Sequence, residues 1–201
     1  MKEQRRVWFT SDWHLGHANI LKFEPGRARV LKCTTIEEHD AALLARYNAL
    51  VKPYDIVYVL GDVGFRDAKS VTNHVMQMNG TKHLIMGNHD RLSDEQYRRM
   101  GFASVTREML IKLGGIYLRL SHYPYREGWL REMYRFLSGG HILRDRHKRP
   151  TRDNKWLLHG HIHSRAIAIP YHRQIHIGVD TWQYRPVSWE QINSVIDGGL
   201  K

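Results

Sequence analysis

The sequence predicts an α/β fold with parallel strands at its centre. Three observations carry the prediction: compact apolar runs at residues 7–9, 55–60 and 82–86, helical stripes between them, and turn or cap residues at the junctions. Runs of this length and composition read as buried strands.

Taken in order, the first run leads into residues 18–34, which lack periodicity and contain Pro25-Gly26, so they read as a loop. Thr35-x-x-Glu38 has the form of a capping box, and Ile36, Leu43, Tyr47 and Leu50 share one face of a helix at about 36–51, stopped by Pro53. Asp67 is placed to cap a second helix, with Ala68, Val71, Val75 and Met78 on one face and Asn79-Gly80 at its end. Ser93-x-x-Gln96 starts a short third helix that Gly101 terminates. The second half has a different character. Residues 108–113 and 116–120 flank Gly114-Gly115 as a hairpin, and residues 156–158 and the runs near Ile167, Ile175 and Ile177 read as further strands. Ser188-x-x-Gln191 caps a last helix with Trp189, Ile192 and Ile196 on one face. There is no internal repeat or low-complexity linker. The expectation is one domain over residues 1–201, with a basic insertion at about 125–155.

The composition is that of an ordinary soluble globular chain, with 42% hydrophobic and 25% charged residues. The single cysteine, Cys33, excludes an intramolecular disulfide and fits a reducing compartment. No apolar run approaches the roughly 18 residues of a membrane span, and the N-terminus does not resemble a signal peptide. A cytoplasmic protein without a membrane partner is expected, and oligomeric state is left open. The formal charge of +11 points to a polyanionic partner or to a solubilising surface. The chain has 14 histidines, and their positions matter more than their number.

Five apolar runs end in polar residues of one kind: Asp12 and His14, then Asp62, then Asn88-His89-Asp90, then His122, then His161 and His163. In α/β sheets, ligand sites lie at the carboxyl ends of strands. Two Asp, four His and one Asn exceed the four ligands of a tetrahedral zinc. They suit two divalent ions about 3.5–4 Å apart that share a carboxylate and keep open positions. Carboxylate and imidazole without thiolate favour manganese, iron or zinc.

Asp12-x-His14, Gly61-Asp62, Gly87-Asn88-His89-Asp90, His122 and Gly160-His161-x-His163 resemble, in order, the five motif blocks of the calcineurin-like metallophosphoesterases. Residues 9–20 and the stretch from Gly178-Val179-Asp180 to Ser188 further resemble a small bacterial and phage subgroup of predicted phosphoesterases. The resemblance implies a four-layer α/β/β/α sandwich and a two-metal site. Asp12, His14 and His163 would hold one ion and Asn88, His122 and His161 the other, with Asp62 between them. Manganese is the preferred ion, with iron, zinc or nickel as alternatives. His89 would stand beside the phosphate as general acid or charge partner. The family pattern has Glu where this chain has Asp90, a carboxylate that would orient the histidine through a shorter arm. Asp180 would orient a ligand histidine from behind or cap a turn.

The reaction implied is phosphoester hydrolysis by a water activated between the ions. His17 and Arg126 are candidate substrate contacts, a loop-stabilising hydrogen bond being the equal alternative for His17, while Trp13 reads as packing and His159 as a support behind the ligands. Segment 125–155 carries nine Arg or Lys against four acids, interleaved with Trp129, Tyr134 and Phe136. That mixture fits a nucleotide or nucleic-acid substrate, or else a solvated helix face. A phosphodiesterase acting on 2′,3′-cyclic phosphates or RNA ends is preferred. A phosphomonoesterase on the same site, and a nucleic-acid-binding module with a vestigial site, are the alternatives.

Overall fold

A computed structural model describes residues 4–64, 68–126, 147–163, 167–169 and 172–198. The cap proposed at Asp67 and the stretch 127–146 of the basic segment lie outside the described residues.

Two five-stranded sheets form the centre. The first has the order β10-β1-β2-β3-β4, and its middle is parallel: β1 (Val7–Thr10), β2 (Ile56–Val59), β3 (Thr81–Ile85) and β4 (Phe102–Thr106). The short β10 (Val187–Ser188) joins β1 antiparallel. The second sheet has the order β5-β6-β7-β9-β8, from β5 (Glu108–Leu113), β6 (Ile116–Ser121), β7 (Trp156–His159), β8 (Ala168–Ile169) and β9 (Gln174–His176). Strands β5 and β6 make the hairpin expected at Gly114-Gly115, whereas β6, β7 and β9 run parallel.

Period-two alternation divides the side chains between two cores. Trp8, Val57, Val59 and Leu84 pack with residues of the helices α3 (Ile36–Asn48), α4 (Ala68–Gln77) and α5 (Asp94–Arg99). Phe9, Leu60 and Ile85 pack with Leu118, Leu120, Leu158 and Ile175 of the second sheet, joined by Ile192 and Val195 of α6 (Trp189–Ile196). Sheets flanked by helices are the α/β/β/α arrangement. The capping boxes at Thr35, Ser93 and Ser188 are all formed. No helix among the described residues is long and apolar enough to cross a membrane.

One expectation is corrected, and two strands are added to the sequence reading. Residues 18–34 are not a loop: they hold α1 (Ile20–Phe23) and α2 (Pro25–Leu31), with Pro25 at the first turn, where a missing N–H costs nothing. Strand β4 follows Gly101 directly, and β10 precedes the last helix. Both β4 and β10 lie at edges of the first sheet, and their pairing comes from the neighbouring strand, not from a clear apolar run.

Candidate metal centre

The ladder of β1 and β2 continues past the strand ends. Asp12 and His14 donate backbone N–H groups to the carbonyls of Gly61 and Asp62, each at 3.0 Å, which sets the two acidic loops side by side. In the second sheet Gly160 N–H donates to the His122 carbonyl at 3.1 Å and aligns those loops in the same way. Asp12, His14, Asp62, His161 and His163 all have φ between 45° and 74°, the left-handed region that non-glycine residues avoid. Such conformations cost about 1–3 kcal/mol each and persist only where the surroundings enforce them. Small residues make room: a Cβ on Gly87 would collide with the Asp62 carboxylate, and one on Gly160 with Ser11 Oγ and Asp12 Oδ2.

All seven positions converge. His14 Nε2 lies 3.2 Å from His163 Nε2 and 3.7 Å from Asp62 Oδ2, and Asp12 is within reach of both histidines. On the other side His122 Nε2 and His161 Nδ1 each approach Asn88 Oδ1 at 2.9 Å, and His122 Nε2 lies 3.5 Å from Asp62 Oδ2. Asp62 therefore stands between two groups of donors. Asp12, Asp62 and His122 are themselves close enough to share an ion.

The protonation pattern fits a cation. His122 Nδ1 donates to the Leu60 carbonyl at 2.8 Å, which fixes the ring with its Nε2 toward the Asn88 amide. His163 Nδ1 is engaged by Asp180 Oδ2 at 3.0 Å, which leaves its Nε2 facing that of His14. Ring nitrogens brought this close to one another suit a cation between them. Burial lowers the pKa of His14 well below the ordinary value, with Arg27 acting in the same direction and Asp12 opposing, so the ring is in its ligating form. Burial also drives the Asp62 carboxyl up to about 7, reinforced by Asp12 and Asp90 and opposed by His122. Asp12 is held well below the usual carboxylate range: burial raises it, but His122, His163, His176 and His14 outweigh that. A divalent cation removes the conflict at Asp62. The residues present fit the metal.

His89 stands at the rim. Its backbone N–H donates to Asp62 Oδ1 at 2.9 Å, and its ring lies 5.3 Å from that of His14. Burial lowers its pKa, with the charges of His17, His122 and Arg91 in the same direction and Asp90 opposing. The ring of His17 is 5.9 Å from that of His14 and 6.1 Å from Phe23, which is 68% exposed.

Asp90 acts differently from the expectation. Its carboxylate accepts from the backbone N–H groups of Asp62, Val63 and Gly87 at 2.7–3.0 Å and from Tyr97 Oη at 3.3 Å. Its task is to hold two ligand loops together through their backbone, and the shorter aspartate arm suits that. Asp90→Ala would leave four donors, three backbone N–H groups and Tyr97 Oη, without this acceptor, at about 1–3 kcal/mol for each that stays buried. Urea unfolding of the metal-free protein is expected to show a loss of about 3 kcal/mol or more.

Arg126, read as a substrate contact, braces the end of the basic segment: its backbone N–H donates to the Pro150 carbonyl, and its Nε to the Arg149 carbonyl at 3.1 Å. Trp13 is packing, buried edge-on against Tyr47. His159 is fully buried, which lowers its pKa to about 3 and keeps it neutral behind the ligands. Three residues of the site's support were missed: Arg27, His39 and Asp40. For the last two a signal existed, since they interrupt the apolar stripe Ile36, Leu43, Tyr47 on the face predicted to be buried. Arg27 left no such signal.

Carboxylates and imidazoles gathered at the strand ends of a two-sheet sandwich fit the class of metal-dependent phosphoester hydrolases. The calcineurin-like phosphoesterase family model matches residues 5–193, and the chain belongs to that family. It is 31% identical to the gene 66 protein of Mycobacterium phage L5, over 95% of this chain and 94% of that protein. It is also 31% identical to the gene 66 protein of Mycobacterium phage D29, over 88% of each. Among solved structures, a protein of unknown function from Aquifex aeolicus, AQ665, shares the fold with a TM-score of 0.68 at 24% identity, covering 96% of this chain and 100% of that one.

Proposed function

We propose that the protein is a phosphodiesterase of nucleotide substrates, with 2′,3′-cyclic phosphates or RNA ends preferred, working with two divalent cations. The observation that carries the reading is the convergence of seven ligand-type side chains beside His89. Asp12, His14 and His163 would hold one ion, Asn88, His122 and His161 the other, and Asp62 both. When bound, the cations supply charge neutralisation at the phosphate and an activated water. Manganese is the preferred ion, and iron, zinc or nickel would serve the same donors. The chain's own part is to fix the ligands, to place the His89 ring over the phosphate, and to hold a proton there for the departing oxygen.

Two features support a nucleotide. The exposed Phe23 edge beside His17 offers a stacking face for a base. On the opposite side, Tyr123 packs against His122 and His161 with ring centroids at 5.0 and 4.9 Å, and Lys148 Nζ lies 5.7 Å above the Tyr123 ring. The basic segment thus returns to the edge of the site, where its charge meets an incoming polyanion.

The test is turnover with Mn²⁺ across a panel: bis-p-nitrophenyl phosphate, p-nitrophenyl phosphate, 2′,3′- and 3′,5′-cyclic nucleotides, RNA and DNA. Diesters and 2′,3′-cyclic nucleotides are expected to be cleaved faster than the monoester. The reverse order would establish a phosphomonoesterase instead. RNA binding that weakens steeply with salt, without turnover of anything, would favour the binding module.

A further inference from the structure

We propose that Arg27 is the positioning residue of one half of the metal centre, that of Asp12, His14 and His163, and that it sets the affinity of this half separately from the other. The inference rests on the two-metal reading above.

The side chain of Arg27 rises from α2 into the interior and is fully buried. All five of its N–H groups are engaged. Nε and Nη2 donate to the two oxygens of Asp180 at 2.9 and 2.6 Å. Nη2 also donates to the Asp12 carbonyl at 2.8 Å, and Nη1 to the Trp13 carbonyl at 3.0 Å. The second Nη1 contact is His39 Nε2 at 3.4 Å.

Each partner leads to the same half of the centre. Asp180 Oδ2 accepts from His163 Nδ1 at 3.0 Å and so sets which way that ring turns its other nitrogen. The carbonyls of Asp12 and Trp13 belong to the turn in which Asp12 and His14 adopt φ of 60° and 52°. Arg27 therefore grips the backbone where it is strained. His39 Nδ1 pairs with Asp40 Oδ1 at 2.8 Å, which leaves its Nε2 as an acceptor for the guanidinium. The other oxygen of Asp40 accepts from Gly16 N–H at 2.8 Å, on the far side of the same turn.

The other half has a different anchor. Asp62 and Gly87 are tied by Asp90, and His122 by the Leu60 carbonyl. None of these bonds involves Arg27, Asp180, His39 or Asp40. A planar guanidinium satisfies two carboxylate oxygens and two carbonyls at once, which an ammonium on a flexible stem cannot do. Arg27→Lys keeps the charge and loses the geometry.

The experiment is calorimetric titration of Mn²⁺ into metal-free protein, with circular dichroism and thermal melting of the metal-free form as folding controls. Wild type is expected to take up two ions. Arg27→Lys is expected to weaken one of the two Kd values by about 10–100-fold and leave the other within a few-fold. Combining it with Asp180→Asn should cost less than the sum of the two, since both act in part through His163. His39→Gln, which touches Arg27 but no ligand, is expected to shift the same site to a smaller degree and decides the matter if Arg27→Lys fails to fold. Two unchanged constants, or both weakened alike, would overturn the assignment. A wild-type protein that binds fewer than two ions would overturn the two-metal reading itself, and the assignment with it.

Discussion

Asp62→Asn is expected to reduce metal-dependent phosphoester hydrolysis below about one-thousandth of wild type. The substitution preserves volume and one oxygen, so the backbone and the nearby Gly87 are undisturbed. What it removes is the negative charge at the point between the two donor groups. Asp62 Oδ2 lies 3.7 Å from His14 Nε2 and 3.5 Å from His122 Nε2, so the lost charge faces both groups. The metal-free protein is expected to be at least as stable as wild type, because burial and the charges of Asp12 and Asp90 already disfavour the ionised form of this carboxyl. Loss of turnover and of bound metal with an unchanged or raised melting temperature is the signature. Retention of full turnover would remove Asp62 from the centre.

The second large effect concerns His89, and it should separate metal binding from chemistry. His89→Ala is expected to keep its metal, measured by elemental analysis after dialysis, and to lose about 10²–10⁴ in kcat on substrates with poor leaving groups. The ring is near His14, a candidate ligand, and the backbone N–H of His89 bonds Asp62 Oδ1, a tie that alanine retains. If the ring donates a proton to the departing oxygen, the loss should shrink with a p-nitrophenyl leaving group, which needs no proton. An equal loss on both kinds of substrate would assign His89 to charge stabilisation. Full activity on either would remove it from the chemistry.

Much of the fold was legible because its signals are local. The capping boxes at Thr35, Ser93 and Ser188 depend on residues three apart, and each forms as read. The glycine pair at the hairpin and the apolar runs of β1, β2, β3 and β7 are equally local. Helix α2 escaped because it buries an arginine where an amphipathic helix would bury leucine, so no apolar period marks it. Strands β4 and β10 escaped because edge strands take their pairing from a neighbour distant in sequence.

The candidate donors can be picked out from sequence, since each directly follows an apolar run and strand ends in such sheets share one side; their division between two ions is what the family resemblance implies. Tertiary structure decided what the donors lean on. Asp90 turned to the backbone of two loops, and Arg27 reached Asp180 across 153 residues. A buried polar group must find its partner wherever the fold places one, and sequence spacing carries no record of that choice.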